Sequence, residues 1–293
     1  MLFRSGLFCS DHFTVPTPVN LDALEMIVAL SYVAGHTERI HFGPLVAPLS
    51  FRDPRLLARQ AAQLNLLSEG RMILGVGSGW MEREHEMFGY DLGDMATRMD
   101  RLEEGLKVMT LLLRSQEPVT FEGRFYNLHD AVLTPRPVEG PSIMIGGSGP
   151  RRTLSLVARY ADIWNGLNLT PADFRERSAH LDELIGQAGR QPSAVKRTTM
   201  VPVICGRDER ELATRLRGFQ RMNPDLASLS DSDLVERIRS RGGAAFGTPE
   251  ECVEQLRAYQ QAGAQEVMAQ FFTVDDFEGL QLLADQILPY FAS

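Results

Sequence analysis

The feature that most constrains the fold is an alternation of short, β-rich apolar runs with longer segments of helical periodicity. Such an alternation indicates a parallel sheet whose strands are joined by crossover helices. The predicted strands are residues 7–10, 40–46, 72–76, 142–145, 162–165, 197–204 and 266–271. The pattern predicts an α/β fold of the TIM-type (β/α)8 class, in which chemistry takes place at the carboxyl ends of the strands.

Capping signals place several of the helices between these strands. Asp53 precedes a proline, as an N-cap residue often does, and Thr248 opens a capping box with a proline at the first helical position. Asn20 is the predicted cap of an earlier helix that ends near Gly35. That helix is expected to turn one apolar face inward, formed by Leu21, Leu24 and Val28.

The segment between the third and fourth strands departs from this rhythm. Its Glu122-Gly123 turn and flanking aromatic residues predict a hairpin within 119–137. We therefore expect one domain, residues 1–293, with an insertion at approximately 117–140. The seven strands are one fewer than a closed barrel requires. Because the first motif begins at the tenth residue, we expect one more strand and helix upstream of a reading frame that starts late.

Composition limits the classes of partner. The net charge is −8, and the basic residues form no run, so nucleic acid and anionic membranes are not expected partners. No apolar stretch approaches membrane-spanning length, and the N-terminus lacks a secretory signal pattern, which predicts a cytoplasmic protein. The three cysteines, Cys9, Cys205 and Cys252, are odd in number and far apart, and are interpreted as reduced thiols.

The first candidate site follows the first predicted strand, at Asp11 and His12. An imidazole changes charge near neutral pH, so His12 could donate a proton or polarise a substrate oxygen. Asp11 could accept hydrogen bonds from a cofactor or orient the histidine. The competing interpretation is a surface turn that caps the strand.

Two glycine-rich turns follow later strands. Gly77, Ser78 and Gly79 come after the third strand, where glycines let a ligand approach the backbone closely. The turn after the fourth strand leads into a helix, and backbone N–H groups at a helix start attract phosphate. Either turn could instead be a flexible connection, but we favour phosphate binding at the second. It consists of Gly146, Gly147, Ser148 and Gly149, with Arg151 and Arg152 beside it.

Other chemistry-bearing residues carry weaker signals. Glu82, Glu84, His85 and Glu86 form a charged cluster whose spacing matches no zinc signature, so no metal site is predicted and a solvated loop or helix face is expected. Cys9 lies near a strand end, but the sequence shows no paired base that would make it a nucleophile.

Taken together, these motifs resemble the luciferase-like monooxygenase superfamily, and in particular its branch that uses the deazaflavin coenzyme F420. The resemblance extends from about Leu7 to the C-terminus. The resemblance rests on the sequence motifs at residues 10–13, 39–43, 75–80, 121–126, 135–137, 145–149 and 160–165.

The resemblance implies a homodimeric barrel that binds an isoalloxazine-like ring at the strand ends. It implies a non-proline cis peptide between Leu45 and Val46 behind the ring, Asp11 near the ring, and His12 near the reacting carbon. It also implies that the turn at 146–149 holds the cofactor phosphate.

Two positions separate branches of this superfamily. Flavin-using relatives often carry Glu-His at the first motif, so Asp11 favours the deazaflavin branch. The sugar-phosphate dehydrogenases of that branch carry a glutamate where this chain has Trp80, which argues against that particular activity.

Three functions remain open at this point. The first is an oxidoreductase that transfers a hydride between coenzyme F420 and a small organic substrate, with a separate reductase as a further partner for the cofactor. The second is an FMN-dependent monooxygenase that uses oxygen. The third is a non-catalytic flavin-binding barrel, which an intact Asp11–His12 pair disfavours.

Overall fold

The computed structural model describes residues 6–14, 23–135, 138–221, 223–272 and 275–291. The strands are β1 Gly6–Cys9, β2 His41–Pro44, β3 Ala47–Pro48, β4 Ile73–Gly77, β5 Val119–Glu122, β6 Asn127–Ala131, β7 Ser142–Gly146, β8 Ile163–Leu167, β9 Lys196–Cys205, β10 Ala245–Gly247 and β11 Glu266–Gln270. The helices are α1 Met26–His36, α2 Pro54–Leu67, α3 Glu82–Phe88, α4 Met95–Arg114, α5 Arg152–Tyr160, α6 Pro171–Gln187, α7 Glu209–Arg221, α8 Asp231–Arg241, α9 Pro249–Gln261 and α10 Phe277–Gln286.

The strands outside the β5–β6 hairpin pair in parallel, in a two-stranded ladder of β1 and β2 and a larger sheet. β1 pairs with β2, β3 with β4, β4 with β7, β7 with β8, and β8 with β9, which in turn pairs with β11. A bridge between Phe42 and Met72 joins β2 to β4. All seven predicted strands are confirmed, as is the β/α-barrel class. Within the described residues no ladder joins β1 to β11, the two ends of this series.

The short strand β10 was not predicted. It pairs with the carboxyl-terminal half of β9, where Ala245 lies opposite Val203, whereas β11 pairs with the amino-terminal half. Three residues are too short a run to produce a periodic signal.

The predicted caps of α2 and α9 are confirmed. The Asp53 carboxylate accepts a hydrogen bond from the Arg55 N–H, and Thr248 and Glu251 form the reciprocal capping box. The apolar stripe of α4 is buried from Met99 to Leu113, and only its first member, Met95, is exposed.

The interpretation of the first helix was wrong. The N-cap of α1 is Glu25, and its buried residues are Met26, Leu30 and Ala34. Leu24 and Val28, predicted to face inward, are 78% and 69% exposed. Asn20 and Leu21 lie outside the described residues. The predicted helical periodicity is correct. Apolar residues lie on two faces of α1, so periodicity could not show which face is buried against the neighbouring elements.

The predicted hairpin is confirmed as the antiparallel pair β5–β6. Glu104 of α4 fastens its turn: the carboxylate accepts hydrogen bonds from the backbone N–H groups of Arg124, Phe125 and Tyr126 at 2.7–3.0 Å. The insertion therefore packs against α4. Arg136 and Pro137, which belong to one of the resembling motifs, lie outside the described residues.

Candidate active site

The candidate site lies where the carboxyl ends of β1, β3, β4 and β7 meet. Asp11 and His12 follow β1, and the segment that joins β2 to β3 contains Leu45 and Val46. The peptide bond between these two residues is cis, as the resemblance implied. Both residues are half-buried.

Glycines on the neighbouring strands make room for the bulge. A Cβ atom on Gly77 would lie 2.8 Å from Val46 Cγ2, and one on Gly146 would lie 2.9 Å from Val46 Cγ1. On Gly75 it would lie 2.1 Å from the Pro44 carbonyl oxygen. These distances are shorter than carbon contacts allow, so glycine is required for the backbone to approach so closely.

The turn after β4 continues the same rim. Gly79 has a positive φ of 79°, and a Cβ there would meet the Ser50 hydroxyl at 2.2 Å. Ser78 is half-buried beside it. Gly77, Ser78 and Gly79 thus line the edge of the site, and their contact with a cofactor stays a prediction.

His12 is held by a carboxylate from another element. Its Nδ1 lies 3.0 Å from Oε1 and 3.2 Å from Oε2 of Glu84, which belongs to α3. Glu84 is only 1% exposed and also accepts a hydrogen bond from the Phe13 N–H at 3.0 Å. A carboxylate accepts hydrogen bonds, so this contact fits a tautomer with the proton on Nδ1 and leaves Nε2 outside the pair.

The prediction that Glu84 and His85 belong to a solvated face was wrong, because both are buried. His85 contacts the Ser50 hydroxyl at 2.7 Å and the Met81 carbonyl at 2.8 Å. The spacing of Met81, Glu84 and His85 is that of one helix face, directly after a strand end. That signal would have placed Glu84 on the inner side of the rim.

Asp11 is buried and belongs to a charge network, reaching the surface at Glu25, that the sequence did not reveal. Arg52 binds it with two hydrogen bonds of 2.6 and 2.8 Å, and also contacts Glu25 at 2.7 Å. Burial raises the pKa of Asp11, although the Arg52 guanidinium opposes the shift. The pKa of Arg52 is itself raised, because its two carboxylate partners outweigh the opposing effect of burial.

The turn after β7 is built from backbone and anchored to β8. Gly147 has a φ of 134°, its N–H donates to the Asn165 carbonyl at 3.0 Å, and its carbonyl accepts from the Trp164 indole at 2.8 Å. The Ser148 hydroxyl donates to the Leu167 carbonyl at 2.7 Å, so it braces the turn. The Gly149 carbonyl accepts from the Leu154 N–H at 3.1 Å.

The helix that follows this turn begins without a side-chain cap. Arg151, the N-cap residue of α5, makes no side-chain hydrogen bond to the first turn. Arg152 does not face the turn as expected: it binds Asp100 at 2.7 Å and the Ala96 carbonyl at 3.2 Å on α4. The Leu154 N–H donates to the Gly149 carbonyl. The N–H groups of Arg152 and Thr153, which precede it in α5, have no intrahelical acceptor and are suited to an anion.

The cysteines take no visible part in this site. Burial, followed by the charge of Asp11, raises the pKa of Cys9 to about 11, which disfavours the thiolate. Cys205 and Cys252 are buried, and all three thiols are free. The interpretation as reduced thiols stays a prediction.

The family model for luciferase-like monooxygenases matches residues 5–266. An F420-dependent glucose-6-phosphate dehydrogenase of Kineococcus radiotolerans is 36% identical over 146 residues, which are 50% of this chain and 43% of that protein. One of Intrasporangium calvum is 28% identical over 97% of this chain and 89% of its own length. The structure of an F420-dependent secondary alcohol dehydrogenase superposes with a TM-score of 0.86 at 20% identity, covering 100% of this chain and 92% of that one.

The fold and the matched length define a β/α-barrel oxidoreductase. The chain belongs to the luciferase-like monooxygenase family.

Proposed function

We propose that this enzyme transfers a hydride between coenzyme F420 and a small organic substrate, with His12 exchanging the accompanying proton. The observation that carries the proposal is the His12–Glu84 pair at the carboxyl ends of the strands, where barrel enzymes perform their chemistry. The relatives that are named as F420-dependent, and the Asp-His form of the first motif, support the choice of cofactor.

The residues at the rim fit a phosphate-bearing cofactor. The turn from Gly146 to Gly149 leaves a cradle that side chains would fill, since a Cβ on Gly149 would lie 2.9 Å from the Thr153 hydroxyl. This turn and the uncapped start of α5 would hold the phosphate. Leu45 and Val46 would support one face of the ring, with Asp11 near it. When bound, the cofactor would accept or donate a hydride, that is, two electrons and one proton.

His12 would accept or donate the proton that accompanies hydride transfer. When a secondary alcohol becomes a ketone, the hydrogen on carbon leaves as a hydride to the cofactor and the hydroxyl proton passes to Nε2 of His12. Ketone reduction reverses both transfers. Glu84, bound to Nδ1, would keep the ring oriented and stabilise its charged form, as a carboxylate does for histidine in other enzymes.

The cofactor assignment is tested by fluorescence titration of the full chain with F420 and with FMN. We expect the tighter binding for F420. Binding of FMN at least tenfold tighter would favour the alternative, an FMN-dependent monooxygenase. F420 binding without hydride exchange toward any alcohol or ketone would instead favour a non-catalytic cofactor-binding barrel.

We further propose a homodimer formed through α1 and α2. Leu24, Val28 and Tyr32 are spaced by four and are 66–78% exposed, and Leu66 and Leu67 are exposed on the adjacent helix. Apolar clusters of this kind mark interfaces. In sedimentation velocity, Val28→Glu should yield monomers, whereas Val138→Glu, at a 96% exposed position elsewhere, should not. A monomeric parent chain would refute the proposal.

The remaining partners and the location are also proposals. None of the helices in the described part of the chain combines the length and apolar character that crossing a membrane requires. We propose a cytoplasmic enzyme that acts on a small organic molecule, has no nucleic-acid or membrane partner, and exchanges cofactor with a separate reductase. Detection of the protein in the cytoplasmic fraction of lysed cells would support the location, and detection in the membrane fraction would contradict it.

A further inference from the structure

A cluster of aromatic side chains adjoins the His12–Glu84 pair. Phe13 stacks against Phe88 and Tyr90, with ring centroids 4.4 and 5.4 Å apart, and meets Phe51 edge-on at 4.9 Å. Phe13, Phe88 and Tyr90 remain 40–50% exposed despite these contacts. An exposed aromatic cluster beside catalytic groups is an apolar surface that a ligand can cover.

Trp80 is a further exposed ring, and it lies beside His12, the residue that precedes Phe13. Its ring centroid lies 5.8 Å from that of His12 in an edge-to-face arrangement, and 61% of the residue is exposed. The positive φ of Gly79 directs the chain into this position directly after β4. We call this surface the aromatic wall; it consists of Phe13, Phe51, Trp80, Phe88 and Tyr90.

The aromatic wall and His12 are both held by hydrogen bonds to Glu84. Glu84 binds His12 through Nδ1 and Phe13 through its backbone N–H, so both are fixed relative to the same buried carboxylate. A substrate body on the wall and a substrate oxygen at His12 would therefore be held at a constant separation, which is what orientation of a reacting group requires.

The charges beside the wall disfavour an anionic substrate. Asp11, Glu25 and Glu84 contribute three carboxylates, and Arg52 is already bound by the first two. A phosphate group placed here would meet net negative charge. Burial of an uncharged aromatic ring against other rings is favourable through both area and ring geometry.

We propose that the substrate is an uncharged ketone or secondary alcohol with an aromatic body that lies against Trp80 and Phe13, its oxygen at Nε2 of His12. This rests on the proposed function and narrows its substrate class. The chemical step is the one proposed above: the alcohol carbon gives its hydride to the deazaflavin, and the hydroxyl proton goes to His12.

The test compares three alcohols with the F420-loaded enzyme: 1-phenylethanol, 2-propanol and glucose 6-phosphate. We expect kcat/KM for 1-phenylethanol to exceed both others at least tenfold. Trp80→Ala should raise KM for 1-phenylethanol about tenfold and leave KM for 2-propanol within about twofold, since one aromatic contact is worth roughly this much. Trp80→Phe should keep most of the preference. Phe277→Ala, which removes a 73% exposed ring elsewhere, should keep all of it.

A second measurement separates the two proposals. Saturation-transfer NMR measures binding of acetophenone to the F420-supplemented chain without turnover, and the dissociation constant should rise about tenfold in Trp80→Ala. Equal or better turnover of 2-propanol or glucose 6-phosphate would overturn the aromatic substrate class and leave hydride transfer intact. Acetophenone binding that depends on Trp80, without F420 binding, would support the wall and refute the proposed function. Concentration-dependent association that Trp80→Ala abolishes, with no acetophenone signal, would show a protein interface and overturn the substrate class.

Discussion

The part of the site around His12 and the part around Gly147 differ in whether side chains or backbone form the surface. Around His12, charged side chains from different elements bind one another: Asp11 and Glu84 are buried, and exposed aromatic rings lie beside them. Around Gly147, side chains are small or turned away, and the backbone itself forms the surface. The two regions therefore suit different tasks. Oriented side chains such as His12 can move a proton, whereas exposed backbone N–H groups near Gly147 can hold an anion without reacting.

The sharpest test of this separation is His12→Ala. We expect turnover to fall by about 10²–10⁴-fold while the F420 dissociation constant stays nearly constant, because a proton-transfer group acts mainly in the transition state. Stopped-flow kinetics and fluorescence titration measure the two quantities. His180→Ala is the matched control, since His180 also faces a carboxylate, Glu183, but on an exposed helix surface. Undiminished turnover would remove His12 from the mechanism, and lost cofactor binding would make its role structural.

Glu84→Gln should lower kcat by about 10–100-fold, with KM and cofactor affinity largely retained, since the amide preserves shape but not charge. The dependence of kcat on pH should change as well, because the imidazolium would lose its carboxylate partner. Glu183→Gln serves as the control beside His180. If kcat and the pH profile match those of the parent enzyme, Glu84 supports the fold without tuning His12.

Gly147→Val tests the opposite side of the rim. We expect F420 affinity to fall at least about tenfold while kcat at saturation changes little, because a β-branched side chain would obstruct the backbone and disfavour a φ of 134°. Gly189→Val is the control for strain alone: its φ is 73°, and open space surrounds a Cβ there. Unchanged affinity in Gly147→Val would place the phosphate elsewhere, whereas equal loss in both variants would indicate strain.

The sequence by itself determined the repeating plan of this protein. Seven strands, the caps at Asp53 and Thr248 and the hairpin were predictable, because apolar periodicity and capping chemistry are local properties. The positions of Asp11 and His12, and of the turn at 146–149, followed from the rule that loops after parallel strands converge. The cis bond at Leu45–Val46 came from family resemblance, and local pattern did not indicate it.

Only the tertiary structure decided which side chains meet. Glu84 lies 72 residues from His12, and Arg52 lies 41 residues from Asp11, so no local pattern could pair them. Packing against elements distant in sequence also explains why Val28 faces outward and why Arg152 binds α4 rather than the glycine turn. A helix period specifies which residues share a face, but the packing of neighbouring elements decides where that face points.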